Sequence, residues 1–93
     1  MIFHLRTKIL TAEFNDQMLL FDPIKNLPYV LNGVAAFILS KTDGVRSDKD
    51  IAMEILKKFS VEYDQALADI RNLYEEFSDL DIVYNKEYLR KNE

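Results

Sequence analysis

Residues 29–44 read YVLNGVAAFILSKTDG, and within them the spacing of the apolar residues changes from that of a strand to that of a helix. Tyr29, Val30 and Leu31 follow Leu27 and Pro28 as a short extended run. Pro28 cannot donate to a ladder, which assigns residues 27–31 to a strand start or an edge strand. Asn32 is a suitable N-cap, because its side-chain oxygen can accept an orphan amide of the first helical turn. Val34, Ala35, Ile38 and Leu39 then recur at helical spacing, with Phe37 widening the apolar face. Asp43-Gly44 is expected to stop the helix, since glycine takes the left-handed conformation at no Cβ cost.

Upstream of this passage the chain reads as β. Residues 9–14 (ILTAEF) are rich in β-branched and apolar types and end at the turn signal Asn15-Asp16. Residues 17–22 (QMLLFD) form a second short run, closed by Asp22-Pro23, and residues 24–26 turn the chain into the Pro28 strand. Downstream it reads as α. Ser47 opens a second helix with Asp50 three positions on, an approximate capping box, and Ile51, Ala52, Ile55, Leu56 and Phe59 form its stripe. Residues 60–63 connect to a third helix, expected over 64–80, whose apolar positions Leu67, Ile70, Leu73, Tyr74, Phe77 and Leu80 span about 140° of its circumference. Residues 82–84 are a final strand or an extended tail. Three strands followed by three helices give an α+β domain with a small three-stranded antiparallel sheet. It is expected to occupy residues 1–84, with a polar tail over 85–93.

Composition narrows the function. At 93 residues the chain holds one core, and 48% apolar with 30% charged residues is globular rather than disordered composition. It contains no cysteine and one histidine, His4, so the usual zinc ligand set cannot be assembled. The two glycines leave no phosphate-cradling loop, and Ser40, Ser47, Ser60 and Ser78 have no histidine partner. Carboxylates sit where helices want them: Asp48 and Asp50 in the first turn of the second helix, Asp64 at the start of the third. Glu54 and Lys58 form an expected i,i+4 pair. No enzyme, cofactor or metal is expected. Arg6 and Lys8 interrupt the apolar start, and no run of about 18 apolar residues exists, so neither a signal peptide nor a membrane span is expected. A cytoplasmic protein fits the absence of cysteine.

Three helices after a small sheet also suggest a winged helix. The would-be recognition helix carries Asp64, Asp69, Glu75, Glu76 and Asp79 against Arg71 alone, which would repel phosphate. A winged-helix transcription-type or scaffolding protein acting through a protein partner is the alternative; nucleic acid is not expected. Peptide binding is physically open, because an edge strand offers unpaired donors and acceptors to an extended peptide.

Taken in order, Tyr29-Val30-Leu31-Asn32, then Val34 to Leu39, then Asp43-Gly44-Val45-Arg46-Ser47, then Ile51-Ala52 resemble the PqqD-like family. That family includes coenzyme PQQ synthesis protein D and the recognition elements of ribosomally made, modified peptides. Residues 63–83 resemble its last helix and closing apolar residues, while those before Gln17 match least. The resemblance implies a winged-helix-like fold and a non-catalytic domain that binds the leader segment of a precursor peptide. The leader adds as a strand beside the third strand, against the third helix. It is thereby presented to a modifying enzyme, such as a radical SAM enzyme, or to a leader peptidase. Carried onto this chain, the binding residues are Leu27, Pro28, Tyr29, Val30 and Leu31 on the strand, with Ala66, Asp69, Ile70, Leu73, Glu76 and Phe77 on the helix.

Overall fold

The computed structural model describes residues 1–87 of the chain. The elements follow in the order β1 (Ile2–Leu5), β2 (Leu10–Phe14), β3 (Gln17–Asp22), β4 (Leu27–Asn32), α1 (Gly33–Ser40), β5 (Asp43–Ser47), α2 (Asp48–Lys58), α3 (Tyr63–Asp79) and β6 (Val83–Asn85). The architecture is α+β, but it has two three-stranded antiparallel sheets where one was expected. One is the meander β2-β3-β4; the other is assembled in the order β5-β1-β6 from distant parts of the chain.

The meander forms where its turns dictate. Asn15, with φ of 56°, takes the left-handed conformation that the two-residue turn between β2 and β3 needs. The β3–β4 turn is built by Asp22, whose Oδ1 accepts from the amides of Ile24 (3.0 Å) and Lys25 (3.3 Å). Asn26, also at φ 56°, completes it. Asn32 occupies the N-cap of α1, but its oxygen accepts from Gln17 Nε2 at 3.0 Å and not from a helical amide.

α1 is shorter than the sequence suggests, with Lys41 as its C-cap. Gly44 has the expected positive φ (80°), yet it uses it inside β5 and not as the helix stop. There the ring of His4 crosses so closely that a Cβ on Gly44 would lie 2.2 Å from Cδ2. β5 and β1 were both missed by the sequence reading; they pair with each other, Ile2 opposite Ser47, and β1 pairs on its other side with β6, Phe3 opposite Asn85. Of the segment 82–84, Val83 and Tyr84 belong to a strand, which extends to Asn85 in the expected tail; residues 88–93 lie outside the described residues. Ser47 and Asp50 form the expected capping box: Ser47 Oγ accepts from the Asp50 amide (3.1 Å) and Asp50 Oδ2 from the Ser47 amide (3.0 Å).

The core lies between the helices and the inner faces of both sheets. Leu20, Ile38, Leu39, Ile51, Ile55, Ile70, Ile82 and Val83 are all buried, and Phe3 stacks on Tyr74 with ring centroids 4.2 Å apart. Full burial of such side chains stabilises by about 1.5–3 kcal/mol each. Two charge assignments differ from expectation. Asp48 is buried rather than solvated, at 1% exposure, and accepts from Arg71 Nε at 3.0 Å. Glu54 bonds Arg46 (3.0 Å) in place of Lys58, which instead approaches Asp16 (3.7 Å). Among the described residues no helix is long and apolar enough to cross a membrane.

Candidate functional site

β4 is an edge. It pairs with β3 on one side, from Asp22 opposite Leu27 to Gln17 opposite Asn32, and among the described residues no strand covers the other. Pro28 has no N–H, so its pair with Phe21 falls at a position where the ladder needs no donor. The tight turn between β2 and β3 independently makes Phe14 and Gln17 a hydrogen-bonded pair. Counting in twos from either anchor gives one phase. In that phase Val30 turns its N–H and C=O, and Pro28 its C=O, to the open side.

Side chains of β4 divide between the two faces. Tyr29 and Leu31 are half-buried and point inward with Leu20 and Met18, their partners on β3. The Tyr29 ring meets Phe77 of α3 at a centroid distance of 6.2 Å. Pro28 and Val30 point outward and are exposed, and Leu27 at the strand start is exposed as well. α3 presents one flank to α2, where Arg71 reaches Asp48. By helical spacing the opposite flank carries Asp69, Leu73, Glu76 and Leu80. Leu80 lies beside the β3–β4 turn, because Lys25 Nζ donates to its carbonyl at 2.9 Å. The open edge of β4 and this flank of α3 bound the candidate groove, with Tyr29 and Phe77 as its floor.

Of the helix residues expected at this site, Leu73 and Asp69 are half-buried and Glu76 is exposed. Asp69 accepts from Gln65 Nε2 at 2.7 Å. Ala66 and Ile70 are fully buried and Phe77 is 4% exposed, so these three support the groove from beneath. Leu80 and Lys25 were missed. Leu80 was visible in the apolar stripe, whereas nothing in the sequence aligns Lys25 with the end of α3.

A second surface was not foreseen. The outer face of the β2-β3-β4 sheet carries Leu10, Ala12 and Phe14 from β2, Leu19 and Phe21 from β3, and Pro28 and Val30 from β4. Phe14 is 68% exposed, Leu10 60% and Val30 58%. A shallow hollow of about 290 Å³ lies among Leu10, Ala12, Leu19, Phe21 and Pro28. A sheet ordinarily buries its apolar phase, yet here Thr11 and Glu13 take the inward positions of β2. Among the described residues no three His, Cys, Asp or Glu side chains gather as a metal would require.

Comparison with known proteins gives this geometry a context. A lasso peptide synthetase B1 complexed with the leader peptide has the same fold, with a TM-score of 0.79 and 26% identity over 89% of this chain and 98% of that one. TbiB1 in complex with the TbiA(beta) leader peptide shares the fold at a TM-score of 0.80, covering 89% of this chain and 99% of that one at 16% identity. No curated protein matches the chain by sequence. The model of the family described as coenzyme PQQ synthesis protein D (PqqD) matches residues 17–83, from the first residue of β3 to the first of β6. With most of its length so matched, the chain belongs to the PqqD family.

Proposed function

We propose that this protein binds the leader segment of a ribosomally made precursor peptide as a strand added beside β4 and presents it to a modifying enzyme, without catalysing a reaction itself. The observation that carries the reading is the free edge of β4, with the Val30 amide and carbonyl directed outward next to an apolar flank of α3. An added strand hydrogen-bonds to that edge, while every second side chain enters the groove toward Leu73 and Phe77. Both structures of matching fold are complexes with leader peptides, which supports the same use of the groove here.

Asp69 and Glu76 line one margin and suit a leader with Lys or Arg at the facing positions. Presentation needs a second surface, and the outward apolar face of the meander is suited to receive a radical SAM enzyme or a leader peptidase. The absence of cysteine fits a cytoplasmic setting. The acidic α3 argues against nucleic acid as the partner.

Titration of isotopically labelled protein with a synthetic leader peptide encoded beside this chain tests the reading. Amide shifts should concentrate at residues 27–32 and on the 69–80 flank of α3. Shifts scattered over β1, β5 and α2 would reject it.

A further inference from the structure

The two ends of β4 are held in different ways. Its C-terminal end runs directly into α1, so the chain itself fixes it. Its N-terminal end is held by its pairing with β3, Leu27 opposite Asp22, and by the β3–β4 turn, where Pro23, Ile24, Lys25 and Asn26 are all exposed and add nothing to the core. What fastens that turn to the body is polar. Lys25 Nζ donates to the Leu80 carbonyl at 2.9 Å, satisfying a group that the end of α3 leaves without an intrahelical partner. A cation at that position is also favoured by the helix dipole.

Behind this contact sits Asp22, with no exposed surface. Lys8, from the connection between β1 and β2, lies 3.5 Å from Asp22 and 2.9 Å from Asp81, the second residue after α3. Arg6 Nε approaches Asp81 from the same connection at 3.0 Å. The turn, the end of α3 and the β1–β2 connection thus meet at the foot of the groove through Lys8, Asp22, Lys25 and Asp81.

We infer that this polar clamp sets the spacing between β4 and α3 and thereby the affinity of the groove for its peptide, with Lys25 and Asp22 as positioning residues that touch no ligand. The inference rests on the leader-binding reading. A strand added to β4 lies about 4.8 Å from it and must pack its inward side chains against α3. Both conditions hold together only at one separation of strand and helix. Release of the foot lets the turn end of β4 shift against α3, while buried Met18 and Leu20 keep β3 in the core, and the groove loses that separation. A loss of prior organisation of this kind weakens binding without removing a contact.

The test uses the full chain with Lys25→Met, Lys25→Arg and Asp22→Asn. Two quantities are measured: the Kd for synthetic leader peptide, and ring-to-ring cross-relaxation between Tyr29 and Phe77 in the free protein. Lys25→Met should weaken binding by about five- to tenfold, attenuate the Tyr29–Phe77 signal and leave the remaining core signals unchanged. Lys25→Arg, which keeps the cation, should stay within about twofold of the parent. Asp22→Asn should act in the same direction as Lys25→Met even if it also lowers the melting temperature, because the ring signal reports spacing and not stability. An unchanged ring signal in Lys25→Met, or equal loss in Lys25→Arg, overturns the clamp while wild-type binding stands. Absence of leader binding by the wild type overturns the recognition reading itself, and the ring signal still decides whether the clamp sets the spacing.

Discussion

The protein contains two antiparallel sheets of three strands each, and they are built for opposite purposes. The β5-β1-β6 sheet turns Phe3 and Val83 inward, with Phe3 stacked on Tyr74 and Val83 buried, while His4 and Tyr84 lie on the other face and Val45 of β5 is its one large apolar side chain left exposed, at 74%. Arg6 covers the Tyr84 ring at 4.9 Å. The β2-β3-β4 sheet buries Met18 and Leu20 on one face and still displays Leu10, Phe14, Leu19 and Val30 on the other. Its edge beside α3 is open along six residues. An apolar exposed face and a long free edge are liabilities in an isolated domain. Their combination on the meander is what the proposed function uses, with the other sheet as its support.

Truncation of one aromatic in each sheet should separate the two roles most widely. Phe3→Ala removes the ring stacked on Tyr74 and should cost about 3–5 kcal/mol in urea denaturation. Phe14→Ser on the outer face of the meander should change stability by no more than about 0.5 kcal/mol. It should nevertheless reduce transfer of bound leader to the modifying enzyme. Equal destabilisation by the two substitutions would erase the distinction between support and working surface.

The glycines give a second contrast. Gly44→Ala meets both a φ of 80° and the His4 ring at 2.2 Å, whereas Gly33→Ala meets a φ of 56° with nothing within 4 Å. The loss at Gly44 should exceed that at Gly33, which is expected to be about 1 kcal/mol. Adding His4→Ala should recover the steric part of the Gly44 effect and leave the backbone part. Melting of the three variants decides it.

The distribution of surprises follows the same division. The meander was legible because its signals are local: Asn15-Asp16, Asp22-Pro23 and Pro28 lie inside the segments that they organise. The Ser47–Asp50 capping box likewise placed α2, and the spacing of Ile70, Tyr74 and Phe77 placed α3 to within a residue at each end. The other sheet was not legible. Ile2 finds its partner at Ser47 and Phe3 at Asn85, so no short window contains the pattern. Asp43-Gly44 misled because the positive φ of a glycine serves a strand irregularity as well as it serves a helix end. Within the site, β4 was readable from Pro28. The outward phase of Leu10, Ala12 and Phe14 was not, since alternation identifies two faces without saying which is inside.

Alkaline titration sharpens the account of the supporting sheet. Burial raises the Tyr74 hydroxyl to about 12, and the nearby charges of Asp48 and Asp43 act in the same direction against the Thr42 hydrogen bond. A pKa raised in the folded state favours the protonated form. Its contribution is therefore complete below the unfolded value of 10.0 and lost as the pH rises from there toward about 12. Tyrosinate absorbance should show Tyr74 ionising only near pH 12 and together with unfolding, a step that Tyr74→Phe should remove.

Acid acts in the opposite sense. Burial pushes the Asp48 carboxyl up, but the Arg71 hydrogen bond and neighbouring positive charge outweigh it and hold the group below 3.8. A depressed pKa contributes stability above the unfolded value and loses it as the pH falls below 3.8. Urea midpoints should therefore be flat near neutrality and decline below about pH 4. In Asp48→Asn that decline should be shallower.

The central claim is that the peptide adds to the free edge of β4, and Val30→Pro tests it most directly. The substitution deletes the one outward-facing amide in the middle of that edge, where proline is otherwise tolerated. Binding of the leader, measured by calorimetry, should weaken at least about tenfold through the lost hydrogen bond and blocked approach, with the melting temperature essentially unchanged. Wild-type affinity in Val30→Pro would contradict strand addition at β4.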